Sequence, residues 1–250
     1  MKEIETLGIV LYNRDYKEKD KLVKIFTANA GKQMIFVKGG NGARFQSKDM
    51  IQPMAVSQFV LNLNSQGLSF IRTHSDTKFF RQIQSDIFLT GYVTYMLNLV
   101  DMAIEDRLCD QALFSFLLES IRLIEAGMDA EVVTFIFEIQ ILSRFGIHLD
   151  FEHCQICGKI AQPFDFSWAL QGVVCQKHQE QGLNLANEDP NILYFLGLFA
   201  KVDLALLNEI KIKPEMKKKI RIFIDLIYGE YVGLSLKSKK FIDHMNDWLS

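Results

Sequence analysis

Two paired ligand motifs constrain this chain more than any other feature. Cys154-Gln155-Ile156-Cys157 and Cys175-Gln176-Lys177-His178 give the spacing C-x2-C-x17-C-x2-H. Two residues between ligands let a tight turn aim both side chains at one metal, and two such knuckles complete a tetrahedral set of soft donors. The spacing predicts one structural zinc ion (Zn2+) per chain, held by Cys154, Cys157, Cys175 and His178. Four protein ligands leave no position for a reacting water. Gly158 follows the second cysteine, where a knuckle turn favours positive φ, and Gly172 is placed for a similar role before the second knuckle. His153 precedes the first cysteine and is a competing ligand. Cys109 falls in a helical stretch and reads as a buried thiol.

The segments around this site differ in period. Residues 4–75 read as β structure, with apolar or alternating runs at 6–12, 22–27, 33–38, 54–64 and 68–73 separated by Gly- and Asn-marked turns. Five short strands in so little chain fit a small closed barrel. From 77 to 148 the apolar residues recur every three or four positions, as in Ile83, Ile87, Tyr92, Tyr95, Met96 and Leu99. Further helices are expected over 110–125 and 130–145, the latter stopped by Gly146. Periodicity lapses through 150–182 and returns near 189–208, 214–233 and 237–249. Asp189-Pro190 has the cap and first-turn residues of a helix start. The expected architecture is α+β and multidomain: a barrel over 1–78, a mainly α-helical domain in two parts over 79–149 and 183–250, and a zinc-binding insert over 150–182.

Charge is unevenly spread. Residues 1–80 carry 12 Lys and Arg against 7 Asp and Glu, residues 81–210 carry 7 against 18, and residues 211–250 carry 9 against 5. A polyanion is expected to favour the barrel and the C-terminal stretch and to avoid the middle. Lys17, Lys19, Lys21, Lys24, Lys32, Lys38, Arg44 and Lys48 fall mostly at strand ends and in loops. Of these, Lys17, Lys19, Lys21, Lys32, Lys38, Arg44 and Lys48 are the candidate nucleic-acid contacts. Small barrels bind single strands across an open face, with cations along the phosphates and aromatic rings against bases. Tyr12, Tyr16, Phe36 and Phe45 are the aromatic candidates. Phe36, in an apolar strand, reads as core, and Phe45, in a polar Gly-rich loop, as exposed. That loop lacks G-x-x-x-x-G-K-[ST]; it reads as a basic segment touching phosphate backbone without base specificity.

Catalytic constellations are missing from the sequence: there is no Ser/His/Asp arrangement, no H-E-x-x-H and no nucleotide-binding loop. Asp101, Glu105 and Asp106 read as a solvated helix end, and His148 and His153 as neighbours of the zinc knuckle. No apolar run approaches the ~18 residues that span a bilayer, and Met1-Lys2-Glu3-Ile4-Glu5 is no signal-peptide start. A cytoplasmic protein without membrane or small-molecule ligands is expected, its cysteines reduced. The alternative to nucleic-acid binding is a protein-interaction scaffold, which the acidic middle suits.

An ordered set of short segments carries a resemblance. Gly8-Ile9-Val10-Leu11, Asp15-Tyr16-Lys17-Glu18-Lys19-Asp20-Lys21, Gly31-Lys32, Val37-Lys38-Gly39, Gln52-Pro53, Phe145-Gly146-Ile147 leading into Cys154, and Leu236-Lys237-Ser238-Lys239-Lys240 resemble the bacterial RecO family of recombination and repair proteins. The resemblance spans nearly the whole chain. It implies an N-terminal OB-fold barrel, a mainly α-helical domain and a small zinc finger. It implies a non-catalytic, nucleoid-associated protein that binds single- and double-stranded DNA and anneals complementary strands. It also implies help in loading the recombinase RecA onto DNA covered by single-strand-binding protein. RecR, RecF in some settings, and the acidic, apolar C-terminal tail of single-strand-binding protein are the implied partners. The chain departs from the family in having His178 where many members have Cys, in a less basic loop after Lys38, and in its very acidic middle. An acidic tail would need a local basic patch; Lys211, Lys213, Lys217, Lys218, Lys219 and Arg221 offer one, with Lys213, Lys217, Lys218 and Arg221 as candidate partner contacts.

Overall fold

A computed structural model of the chain describes residues 2–42, 45, 47–65, 67–160, 163–179, 182–207 and 210–249, with side chains through residue 245. Strands β1 (Lys2–Tyr16), β2 (Asp20–Thr27), β3 (Gly31–Val37), β4 (Val56–Leu63) and β5 (Ser69–Lys78) close into a barrel in the order β1-β2-β3-β5-β4. β1 returns to pair with β4, and β3 and β5 run parallel where the barrel closes. This five-stranded closure is the OB-fold architecture. β1 and β5 run longer than the sequence pattern suggests, because their outer halves are polar. β1 serves β4 and β2 in turn, and a register shift between Val10 and Tyr12 bends it between them.

Alternation decides what fills the barrel. Val10, Val23, Ile25, Ile35, Val37, Phe59 and Leu61 point inward, joined by Met50 and Ile51 from the β3–β4 connection. Each such side chain withdrawn from water stabilises the fold by about 1.5–3 kcal/mol. Phe36 lies between Ile35 and Val37 and so points outward, which overturns its expected place in the core. Phe45 behaves in the opposite way: it is half-buried and packs against the barrel interior.

The chain forms two compact units, Met1–Ala130 with Leu236–Ser250, and Glu131–Ser235. In the first, the barrel is followed by α1 (Arg81–Ser85), α2 (Ile87–Ala103) and α3 (Gln111–Glu125), and α7 (Lys237–Leu249) completes it. The helical pattern expected from residue 77 onward is broken at Asp86, whose carboxylate accepts the N–H of Phe88 at 2.7 Å and caps α2. Asp110 caps α3 in the same way through Leu113 N–H at 2.8 Å. Ser238 of α7 donates to Asn98 of α2 at 2.8 Å.

Two lysines fasten the barrel to the end of α2. Lys24 places its ammonium on the carboxylate of Asp106. Lys32, only 3% exposed, reaches the Asp101 carboxylate at 3.1 Å, the Asp101 carbonyl, and Asp106 at 3.6 Å. The Lys32 carbonyl accepts the N–H of Arg107 at 2.9 Å. Gly31, at φ +66°, lies so close to this segment that an added Cβ would run into the carbonyl of Leu108. Asp101 and Asp106 are therefore ion-pair partners of the barrel and not a solvated helix end.

The second unit is built around α4 (Ala130–Ile141). Val132, Val133, Phe135, Ile136, Phe137 and Ile139 are all buried, and Thr134 and Glu138 are buried on the remaining side, so the helix is covered all round. Gly146, at φ +77°, ends the 3-10 turn that follows. A hairpin of β6 (Phe164–Ser167) and β7 (Gly172–Cys175), then α5 (Pro190–Lys201) and α6 (Pro214–Ile227), complete the unit. Asp189 caps α5 through the N–H of Asn191 at 3.0 Å. Arg221 of α6 donates to both carboxylate oxygens of the buried Glu138, at 2.9 and 3.1 Å, and its guanidinium lies 4.4 Å from the Phe135 ring centre. Among the described residues no helix is long and apolar enough to cross a membrane.

Candidate metal centre and nucleic-acid interface

Cys154, Cys157, Cys175 and His178 converge. Their ligand atoms all lie within 4.8 Å of one another, with His178 Nδ1 at 3.6 Å from Cys154 Sγ and 3.3 Å from Cys175 Sγ. A tetrahedral ion with ~2.3 Å bonds to sulfur and ~2.0 Å to nitrogen holds its donors roughly 3.5–3.8 Å apart. Three thiols and an imidazole at this spacing fit one metal ion.

Local hydrogen bonds shape each knuckle. In the first, Gly158 N–H donates to the Cys154 carbonyl at 2.7 Å, and Gly158 takes φ +68° as its position in the motif suggests. Gln155 N–H donates to Val173 of β7 at 2.9 Å, which ties the first knuckle to the strand that carries the second. Gly172 does not need positive φ; instead the Asp150 carbonyl and the Gln155 side chain occupy the space a Cβ would take. Asp150 accepts the N–H groups of Glu152 at 2.7 Å and His153 at 3.0 Å. Burial alone raises the Asp150 carboxyl, but these donors and the His153 ring bring it below the usual range. His153 turns its Nδ1 to Asp150 at 3.2 Å and stays outside the four-donor cluster.

The two buried sulfurs differ electrostatically. Burial raises the Cys154 thiol, but the N–H groups of Cys175, Cys157 and Ile156 and the His178 ring outweigh it and lower it to about 6. Burial and the neighbouring sulfurs push the Cys175 thiol up. The cluster thus already favours one thiolate, the form that binds metal. Cys109 lies apart from it and is exposed, with its thiol 3.4 Å from the Ala28 carbonyl, contrary to the buried place expected for it.

The barrel lysines divide into three groups. Lys17 and Lys19, in the β1–β2 turn, and Lys38, just after β3, are exposed and make no ion pair among the described residues. The turn after Lys38 is pinned to the β1–β2 turn: Gly39 N–H donates to Asp20 at 2.8 Å and Asn41 N–H to the Lys19 carbonyl at 3.0 Å. These contacts gather the three lysines at one end of the barrel. Lys48 is exposed farther along the β3–β4 connection, at the start of a 3-10 turn. Lys21 is held by Asp15 at 2.7 Å and by Asn13 at 3.3 Å. Lys32 is buried in the α2 junction and cannot reach a phosphate, which corrects its assignment as a nucleic-acid contact. Arg44 lies outside the described residues.

The C-terminal basic patch is also smaller than its composition. Lys213 and Lys218 are exposed. Lys217 is half-buried near Glu131 at 3.7 Å, and Lys219 pairs with Asp189 at 2.9 Å. Arg221 is 7% exposed and committed to Glu138, so it is a structural residue of the second unit and not a partner contact. A lysine or arginine flanked by apolar neighbours, as in Val23-Lys24-Ile25 and Ile220-Arg221-Ile222, is the sequence signal that points to a buried pair.

Comparison with known proteins covers both units. The family model described as "Recombination protein O N terminal" matches residues 1–80, and that described as "Recombination protein O C terminal" matches residues 84–240. Among curated proteins, a "DNA repair protein RecO" of Streptococcus suis is 48% identical over 248 residues, covering 99% of this chain and 95% of its own length. Proteins of the same description from Streptococcus thermophilus and Streptococcus mutans are 46% and 44% identical, each over 99% of this chain and over 96% and 98% of their own lengths.

Proposed function

This chain belongs to the RecO family of DNA repair proteins, and from that premise we propose that it is a non-catalytic DNA-binding and strand-annealing mediator of recombination. In this reading it holds single- and double-stranded DNA and helps load the recombinase onto single strands covered by single-strand-binding protein. It works with RecR, and with RecF in some settings, in the cytoplasm at the nucleoid. The observation that carries the reading is the group of exposed cations Lys17, Lys19 and Lys38, which make no ion pair among the described residues, at one end of an OB-fold barrel.

Annealing requires that two strands meet with their phosphate repulsion screened and their bases left free to pair. Flexible ammonium groups at a turn meet that need by neutralising phosphates without reading sequence. Lys48 extends the basic surface along the β3–β4 connection. The metal of the second unit is zinc, the ion that three cysteines and one histidine select. It is a structural brace: all four positions are filled by Cys154, Cys157, Cys175 and His178, and it fastens the residue 154–158 turn to β7. The exposed Lys213 and Lys218, with Lys217, are the contact for the acidic tail of single-strand-binding protein.

The test is annealing of complementary strands coated with single-strand-binding protein, with and without RecR, across a salt series. Annealing that RecR modifies and that weakens steeply with salt is expected. Failure to bind any oligonucleotide at low ionic strength, with RecR binding retained, would replace this reading with that of a protein scaffold.

A further inference from the structure

The outer wall of the barrel carries an aromatic cluster. Phe36 of β3 faces away from the barrel interior, and the rings of Tyr16 and Phe70 stand edge-on to it. Both ring centres are 5.9 Å from that of Phe36, at interplanar angles of 89° and 79°. Tyr16 is 36% exposed and Phe70 is 41% exposed. The three rings come from β1, β3 and β5, and the strand register sets Arg14 opposite Leu22, Leu22 opposite Phe36, and Phe36 opposite Phe70. Leu22, on this same outer face, is buried beside the rings.

Positive charge borders the cluster. The Lys17 ammonium lies 5.5 Å from the Tyr16 ring centre. Lys38 follows Phe36 by two residues and is exposed, and Arg14 is exposed on the same register row as Phe36. None of the three makes an ion pair among the described residues. Of the nearby acids, Asp15 holds Lys21 and Asp20 accepts the N–H of Gly39, while Glu18 is exposed in the β1–β2 turn.

We propose that Tyr16, Phe36 and Phe70 form a nucleobase-stacking site for single-stranded nucleic acid, with Arg14, Lys17 and Lys38 on the flanking phosphates. The proposal rests on the DNA-binding reading of the barrel and deepens it by assigning a base contact to one face. The occupant follows from matching both features at once. An apolar peptide would cover the rings and leave the cations unmatched. A duplex would match the cations, but its bases are already stacked and shielded. An unpaired strand offers π-faces and anions together. One stacked base per chain discriminates single strands from duplex and leaves the neighbouring bases free to pair.

The full-length chain, purified with its metal, is titrated with three labelled ligands: an oligothymidylate, an abasic strand of equal length, and a duplex. The parent is expected to bind oligothymidylate more tightly than the abasic strand. Phe70→Ala is expected to weaken oligothymidylate binding about 5- to 150-fold, the range for loss of one stacked base, and to leave the other two ligands unchanged. Phe70→Trp is expected to restore binding. Tyr16→Ser, on another strand, serves if Phe70→Ala fails to fold by circular dichroism. Equal parental affinity for the thymidylate and abasic strands would overturn the stacking site while leaving phosphate binding in place. Equal losses on all three ligands, or no loss on oligothymidylate, would overturn it too. Absence of parental binding to any of the three would overturn both the site and the DNA-binding reading beneath it.

Discussion

Lys32→Met and Lys38→Met remove the same charge from neighbouring positions of one barrel, and the structure assigns them opposite consequences. Lys32 is 3% exposed with its ammonium between Asp101 and Asp106, whereas Lys38 is exposed with no ion pair among the described residues. A hydrogen bond to a charged group contributes about 1.5–3 kcal/mol net, and stripping one partner from a fully buried pair costs about 3–5 kcal/mol. The Asp101 and Asp106 side chains are 24% and 53% exposed, so water recovers part of that loss when the lysine goes. Methionine preserves the length of the stem, which keeps the cavity term small. The expected cost of Lys32→Met is about 2 kcal/mol, roughly a 30-fold fall in the folding constant. Lys38→Met should change stability by less than about 0.5 kcal/mol. On DNA the order reverses. Lys38→Met should reduce the slope of log affinity against log salt by about one phosphate contact, while folded Lys32→Met should keep the parental slope. Urea melts followed by circular dichroism and fluorescence polarisation across a salt series measure the two effects. A Lys32→Met protein that melts like the parent yet loses affinity and salt slope would refute the assignment of that lysine to the junction.

Protein purified without chelator should contain about one zinc per chain by elemental analysis, and Cys175→Ser should abolish the metal and lower the melting temperature; full zinc retention in that variant would displace Cys175 from the ligand set. Glu138→Ala strands the buried Arg221 guanidinium and should destabilise the chain by about 3–5 kcal/mol. In the double variant Glu138→Met with Arg221→Met, the loss in chemical denaturation should be much smaller than the sum of the two single losses; strict additivity would show that the two groups do not act as a pair.

What could be read in advance depended on how local the physical cause was. The convergence of Cys154, Cys157, Cys175 and His178 into a cluster that could hold a metal ion was legible because a knuckle is a local device: two residues between donors fix the turn, and the 17-residue gap had only to form a hairpin. Helix starts at Asp110 and Asp189 were legible for the same reason, since a cap acts within one turn. Phe36 was misplaced because an apolar run such as Met34-Ile35-Phe36-Val37 does not show which residues face inward until the strand finds its partners. Phe70 was overlooked, although Ser69-Phe70-Ile71-Arg72 alternates and puts Phe70 on the face opposite Ile71. Lys24, Lys32 and Arg221 were counted as surface charge because their partners lie 69 to 83 residues away; the apolar neighbours of Lys24 and Arg221 point to burial, but nothing local tells which carboxylate each meets. The three departures have one root: a residue's neighbours in space, not its neighbours in sequence, decide whether it is core, surface or paired.

That distinction changes what the basic composition of the N-terminal segment implies for DNA. Of the 12 Lys and Arg in residues 1–80, Lys24 and Lys32 are spent on Asp101 and Asp106, Lys21 on Asp15 and Arg72 on Glu3. Among the described residues Lys17, Lys19 and Lys38 gather without ion pairs, with Arg14 exposed on β1 beside the aromatic wall and Lys48 farther along the β3–β4 connection. Three or four neutralised phosphates on a single strand give a salt slope of only about −2 to −3. A fourfold rise in salt would then weaken binding by roughly 15- to 60-fold, far less than for proteins with broad basic grooves. A shallow grip of this kind suits annealing, in which a strand has to be presented and then released as duplex. It also means that phosphate contacts alone supply little preference for unpaired strands, so on the proposed reading discrimination must come from elsewhere. The aromatic wall of Tyr16, Phe36 and Phe70 lies next to two of the three lysines and is the feature of the barrel able to supply it.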